Sequence, residues 1–238
     1  MWSCACSRRT LDRLKPPTHT RFKVCCVSSS HEADIAVEAG ACAVGLVSSM
    51  PSGPGVIADE RIAEIAARVP PGIDTFLLTS LTDARAIVEQ HRAARTSALQ
   101  LVDRLPRSDL AEVRAALPGV RLIQVIHVLG EGAITAAEEV SGVIDAVLLD
   151  SGNPNLEAKE LGGTGRRHDW TVSARIRERV DVPVFLAGGL NAANVAEAIE
   201  TVRPFAVDVC SGLRDESFDL DPDELTRFAV ALERAEPS

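Results

Sequence analysis

Two short runs carry most of the chemistry this chain offers. The first, FKVCCVSSS (residues 22–30), sets Cys25 and Cys26 side by side where an apolar run gives way to three serines. The second, LLDSGNPNLEAKELGGTGRRHDW (148–170), ends an apolar run in Asp150 and continues into a long polar segment containing Gly162-Gly163-Thr164-Gly165. A thiol acts as a base or nucleophile once its proton is lost, and positive helix N-termini nearby favour that loss. A cysteine is also commonly a small buried hydrophobe, and position alone leaves both roles open for Cys25. A carboxyl at a strand tip is shielded from water when a loop closes over it. Shielding raises its pKa and suits Asp150 to donate a proton, the plainer alternative being a helix or loop cap.

Two further runs suit an anion. LAGGLNAANVAEAI (186–199) reads as a strand, a Gly188-Gly189 turn and a helix opening near Asn191. VDVCSGLRD (207–215) ends in a similar way, with Asp208 in its strand and Ser211-Gly212 able to start a short helix. Glycine allows close backbone approach, and unpaired N–H groups at a helix start attract negative charge. Gly163 and Gly165 of the long loop join Gly188, Gly189, Asp208, Ser211 and Gly212 as candidates for holding a phosphorylated substrate. The histidines add little. His127 ends a strand and reads as solvated or structural, His168 lies beside Arg166 and Arg167 in the loop, and His91 sits on a helix.

The elements that must position these groups follow a regular cadence. Strands are expected at 22–27, 42–47, 73–79, 97–102, 120–128, 144–150, 182–188 and 205–210. Helices are expected near 31–39, 58–68, 83–94, 107–116, 132–141, 171–180, 191–201 and 223–235. In ADERIAEIAARV, Ile62, Ile65, Ala66 and Val69 recur at the spacing of one helix face. Unbroken apolar strands imply burial on both faces, the condition of a parallel sheet. Eight strands each followed by a helix predict an α/β fold of the (β/α)₈ TIM-barrel class, with chemistry at the C-terminal strand ends. A doubly wound open sheet is the alternative, but no Gly-x-Gly-x-x-Gly follows the first strand. Residues 21–238 read as one barrel domain. Residues 1–20, basic and interrupted by Pro16-Pro17, read as a flexible N-terminal arm.

Bulk properties narrow the function classes. The 238 residues are 46% apolar and 25% charged, a globular balance without an apolar run long enough for a membrane helix. A formal charge of −9 repels phosphate backbones and argues against nucleic acid. Six scattered cysteines suggest a reduced, cytoplasmic setting, and Cys4-x-Cys6 lacks the second pair a zinc site needs. Neither metal nor organic cofactor is expected. The expected partner is a small phosphorylated sugar, with no nucleic acid and no membrane, and the chain is expected to be a monomer or homodimer.

Taken in order, these pieces resemble the phosphoribosylanthranilate isomerase family. KVCC (23–26) is similar to its opening Lys-[Val/Ile]-Cys-Gly, and GACAVGLV (40–47) to its second strand. Leu148 to Ser151, Gly162 to Gly165, Asp169-Trp170, LAGGLNAANVAEAI and VDVCSG also match. The resemblance implies a TIM barrel and an Amadori rearrangement of N-(5-phosphoribosyl)anthranilate in tryptophan biosynthesis. It also implies Asp150 as the acid that protonates the ring oxygen and Cys25 as the base that removes the neighbouring carbon's proton. Three positions depart from the family. Cys26 replaces a glycine, Gly55 replaces an arginine that pairs with the anthranilate carboxylate, and Asp103 stands where that carboxylate would sit. Lys23, Arg166 or Arg167 are the candidates to supply the missing positive charge. The departures leave two alternatives, a paralogue isomerising a phosphosugar without a carboxylate and a non-catalytic barrel that binds a phosphometabolite.

Overall fold

Eight apolar runs become eight parallel strands: β1 (Arg21–Val24), β2 (Ala43–Val47), β3 (Asp74–Thr79), β4 (Ala98–Leu101), β5 (Arg121–His127), β6 (Ala146–Asp150), β7 (Val184–Leu186) and β8 (Ala206–Val209). The structure, a computed structural model, describes residues 20–156, 159–162 and 165–235. The strands pair in chain order and β1 closes on β8, so the sheet is a barrel. Between them run α1 (Ser30–Glu38), α2 (Asp59–Arg68), α3 (Ala84–Ala94), α4 (Arg107–Ala116), α5 (Gly132–Ser141), α6 (Trp170–Arg179), α7 (Val195–Val202) and α8 (Pro222–Arg234). The chain is therefore the expected (β/α)₈ barrel. Cys4-x-Cys6 and the expected arm, apart from Thr20, lie outside the described residues.

Strand and helix chemistry agree with their places. All five residues of β2 and all five of β6 are buried, because one face packs inside the barrel and the other against helices. Outward residues such as Val24, Leu46, Leu77, Leu99 and Val207 join Ile62, Ile65, Ile87 and Phe228 of the helices in the main core. Inward residues such as Phe76, Ile123, Leu148, Phe185 and Ala206 form a second cluster inside the barrel. Phe76 and Phe185 meet there with ring centroids 5.9 Å apart. Ser29, Asp83, Asp169 and Asp221 each accept a backbone N–H from the first turn of a helix, so polar caps end the apolar runs. The three serines after Cys26 thus include the start signal of α1.

Boundaries near the site differ from expectation: β1 ends at Val24, before Cys25 and Cys26, and β7 ends at Leu186, before Gly188. Helix α7 begins at Val195 and not near Asn191. Asn194 Oδ1 accepts the Asn191 N–H, Asn191 Oδ1 accepts the Ala193 N–H, and Asn194 Nδ2 donates to the Gly189 carbonyl. Side chains therefore take the backbone groups that an earlier helix start would have left free.

Candidate active site

The end of β1 is built by contacts from the far side of the closure. Lys23 is 0% exposed inside the barrel, and its Nζ donates to Asp208 Oδ1 of β8 at 2.8 Å. Gly45 of β2 makes the room, since a Cβ there would stand 2.9 Å from both Lys23 Nζ and Cys25 Sγ. The sulfur of Cys25 thus lies beside a buried ammonium. Burial alone would lower the Lys23 pKa, but Asp208 and Cys25 outweigh it, and the group is held above its usual range. Lys23 is a fixed cation next to the candidate base.

Cys26 turns the chain with φ +61, in the left-handed region that glycine adopts freely. Arg214, after β8, holds that turn: its Nη2 donates to the carbonyls of Cys25 at 2.8 Å and Cys26 at 2.9 Å. Its Nη1 donates to Glu32 Oε1 at 2.6 Å. Glu32 also accepts the N–H groups of Ser28 and Leu220, so a buried pair staples α1, the β1 end and the segment after β8 together.

Across the barrel, Asp150 ends β6. One carboxylate oxygen accepts the Ser151 N–H at 2.7 Å, while the other lies under Gly162, where an added Cβ would stand 2.9 Å from it. The long loop covers the carboxyl as expected. Burial raises the Asp150 pKa above the usual carboxylate range, against the pull of Ser151, His127 and Lys23. Cys25 and Asp150 line one cavity at the barrel mouth, together with Gln100, Gly165, Gly188, Gly189, Asp208 and Ser211. Gln100 is buried and its Oε1 has no hydrogen-bond partner.

The loops after β6, β7 and β8 converge at one rim. A Cβ on Gly189 would stand 2.7 Å from the Gly165 carbonyl, and one on Gly165 would stand 3.5 Å from Ser211 Oγ. Gly165, Gly188 and Gly189 have φ of +66, +88 and +65, conformations open to glycine. Gly212 serves the packing rather than the cavity wall, because a Cβ there would meet the Leu190 carbonyl at 2.1 Å. Ser211–Leu213 form the short helical turn expected after β8. Gly163 lies outside the described residues. Asp208 is turned to Lys23, and a buried carboxylate is an unsuitable ligand for a dianion.

The charges expected to replace the missing arginine are engaged elsewhere. Lys23 serves Asp208, Arg166 pairs with Glu160, and Arg167 pairs with Glu197 while stacking over Trp170. Lys159 pairs with Asp103 and offsets the negative charge expected to repel a carboxylate. Gly55 and Cys26 are packed against each other. A Cβ on Gly55 would stand 2.5 Å from the Cys26 Cβ, so the cysteine leaves space only for glycine. His168 is tucked against Gly188, with Nε2 2.7 Å from Ser173 Oγ.

The helix N-termini expected to draw off the Cys25 proton are not its closest charge. Lys23 takes that place and lowers the thiol pKa, but hydrogen bonding with Cys26 and burial prevail and push it well above the usual value.

The family model for N-(5'phosphoribosyl)anthranilate (PRA) isomerase, PRAI, matches residues 22–216. The chain belongs to this family. Among PRA isomerases, the protein of Methanocella arvoryzae is 38% identical over 197 residues, 83% of this chain and 90% of that one. The Halobacterium salinarum protein is 39% identical over 219 residues, 92% of this chain and 97% of its own. Both carry the name N-(5'-phosphoribosyl)anthranilate isomerase. The crystal structure of phosphoribosyl anthranilate isomerase from Thermotoga maritima superposes with a TM-score of 0.78 at 28% identity, covering 90% of this chain and 99% of that one. Another, in complex with reduced 1-(o-carboxyphenylamino)-1-deoxyribulose 5-phosphate, gives 0.76 at 26% identity with the same coverage. This chain is thus an isomerase built on the PRA isomerase barrel.

Sequence reasoning named Cys25 and Asp150 but passed over the groups that hold them. The sequence offers Lys23 only as a stand-in for the arginine and points to no role for Arg214 or Glu32. A charged residue inside an otherwise apolar strand was the available signal for Lys23. Arg214 and Glu32 gave no such signal, since their pairing depends on barrel closure.

Proposed function

We propose that this isomerase carries out the Amadori rearrangement of N-(5-phosphoribosyl)anthranilate, with Asp150 as general acid and Cys25 as general base. The observation that carries the reading is the placement of a raised-pKa carboxyl and a thiol, from β6 and β1, on the wall of one cavity. Asp150 gives its proton to the ring oxygen as the C–O bond breaks, and the amine nitrogen's lone pair forms the iminium. Cys25, as thiolate, takes the proton from the adjacent carbon, and the electron pair left behind neutralises the iminium as an enamine. The enamine is also an enol, and its tautomerisation gives the ketose. Lys23 supplies the positive charge that favours the thiolate form of Cys25 before it takes the proton, and Arg214 fixes the backbone that carries it. Gly165, Gly188, Gly189 and Ser211 frame the phosphate, and Gln100 offers its amide to substrate hydroxyls.

Cys25→Ser and Asp150→Asn should each lower kcat by about 10²–10⁴-fold in conversion of N-(5-phosphoribosyl)anthranilate, with the fold retained by circular dichroism. Near-normal turnover in either variant refutes the assignment. Gly55 supports a second reading, the same chemistry on a phosphoribosyl amine whose aglycone lacks a carboxylate. A kcat/KM higher for such a substrate than for the anthranilate compound would favour it.

A further inference from the structure

Cys25 is one of three thiols at the mouth, and the mechanism leaves the other two unused. Cys26 and Cys210 are free thiols on adjoining strand ends, with Sγ atoms 2.8 Å apart. Both line the active-site cavity. Cys210 follows Val209, which pairs with Val24 in the β1–β8 ladder, and Cys26 lies two residues beyond Val24. Strands about 4.8 Å apart with a stagger of one residue put such Cα atoms roughly 6 Å apart, inside the range a disulfide spans. Forming the bond at about 2.05 Å asks the sulfurs to move by less than about 1 Å. Cys26 holds its thiol there although its backbone is left-handed, a conformation L-residues disfavour. Among the described residues no group of three or more His, Cys, Asp or Glu is placed to hold a metal ion, so the pair is not part of such a site.

We propose that Cys26 and Cys210 are a modification site, a thiol pair that a low-molecular-weight disulfide oxidises to a reversible cross-link between the base-bearing turn and the Ser211 loop. Cys210, the more exposed of the two, attacks one sulfur of the oxidant as thiolate and releases one thiolate. Cys26 then attacks the Cys210 sulfur of the mixed disulfide, releasing the second thiolate, which takes up the Cys26 proton. Two protein thiols are oxidised and one small disulfide is reduced to two thiols. The cross-link draws together the residue after Cys25 and the residue before Ser211, and so shifts the base against the phosphate rim.

The test uses the full chain incubated with oxidised glutathione, then mapped by mass spectrometry of its peptides without reduction. A Cys26–Cys210 peptide pair is expected, with kcat/KM lowered by about 100-fold, the cost of roughly 1 Å of misplacement, and restored by dithiothreitol. Cys26→Gly and Cys210→Ser, each compared with its own reduced form, are expected to keep their activity through the same treatment. The proposal is overturned by absence of the linked peptide, by a Cys25–Cys26 link, by glutathione on Cys25 alone, or by equal inactivation of both variants. The map does not rest on the proposed isomerisation. A chain without turnover in its reduced state therefore counts against that function and leaves the linkage result readable.

Discussion

Cys26 and Gly55 should be energetically coupled, and a double-mutant cycle measures by how much. Alone, Gly55→Ala adds a Cβ at φ +77, a conformation costing an L-residue about 1 kcal/mol or a little more. It also forces that carbon to 2.5 Å from the Cys26 Cβ, at least 1 Å inside the ~3.5–4.0 Å of a normal carbon contact. Overpacking of that kind costs about 1–3 kcal/mol, so the single variant should lose about 2–4 kcal/mol in total. Cys26→Gly alone relieves the strain at φ +61 but loses a buried side chain and gains unfolded-state entropy, so its net change should stay within about 1 kcal/mol. In the Cys26→Gly background the side-chain clash is gone and only the backbone Cα at 3.2 Å remains close, so Gly55→Ala should cost about 1 kcal/mol or a little more. The coupling is therefore about 1–3 kcal/mol, read by urea denaturation of all four proteins. Additivity within about 0.5 kcal/mol would refute the reasoning. The functional extension is Gly55→Arg in the same background. A charge-assisted partner is worth about 1.5–3 kcal/mol, so KM for a carboxylate-bearing substrate should fall about ten- to a hundredfold, and should not fall while Cys26 remains.

Cys26→Gly should also move the ascending limb of the pH–kcat/KM profile to lower pH, because hydrogen bonding with Cys26 is the largest influence raising the Cys25 pKa; a limb that stays put would contradict this. Burial lowers the His168 pKa from 6.5 to about 4, so the native state takes up a proton later than the unfolded chain as pH falls. Stability is whole above pH 6.5 and declines between 6.5 and 4 by up to about 3 kcal/mol, and His168→Gln should flatten that decline in urea midpoints taken at pH 7 and pH 5. Lys23→Met strands the Asp208 carboxylate inside the barrel and should cost about 3–5 kcal/mol, part of which Asp208→Asn should recover in the double variant; no recovery would mean that the pair is not the cause.

The barrel was readable from the chain because its signals are local. Unbroken apolar runs such as β2 and β6 report burial on two faces, and Ser29, Asp83, Asp169 and Asp221 mark helix starts within a residue or two of where they occur. Asp150 and Cys25 were legible as polar groups at apolar strand ends, which on this fold face the mouth. Helix α7 starts later than its apolar spacing suggests because Asn191 and Asn194 tie up the turn with side-chain bonds that this spacing does not register.

What sets the chemistry at each candidate group was decided only when the barrel closed. Lys23 meets Asp208 across 185 residues, Arg214 reaches Cys25 across 189, and Cys26 meets Cys210 across 184. All three join the first strand to the last, a contact that exists only once six intervening strands have been laid down in order. The Cys26–Gly55 pair is the same lesson at a shorter range: two residues that look independent in the sequence compete for one volume. Residue type and strand order told which groups face the cavity. Electrostatic screening, burial and steric exclusion act over a few ångströms of space, and only the folded chain determines which residues lie within that reach.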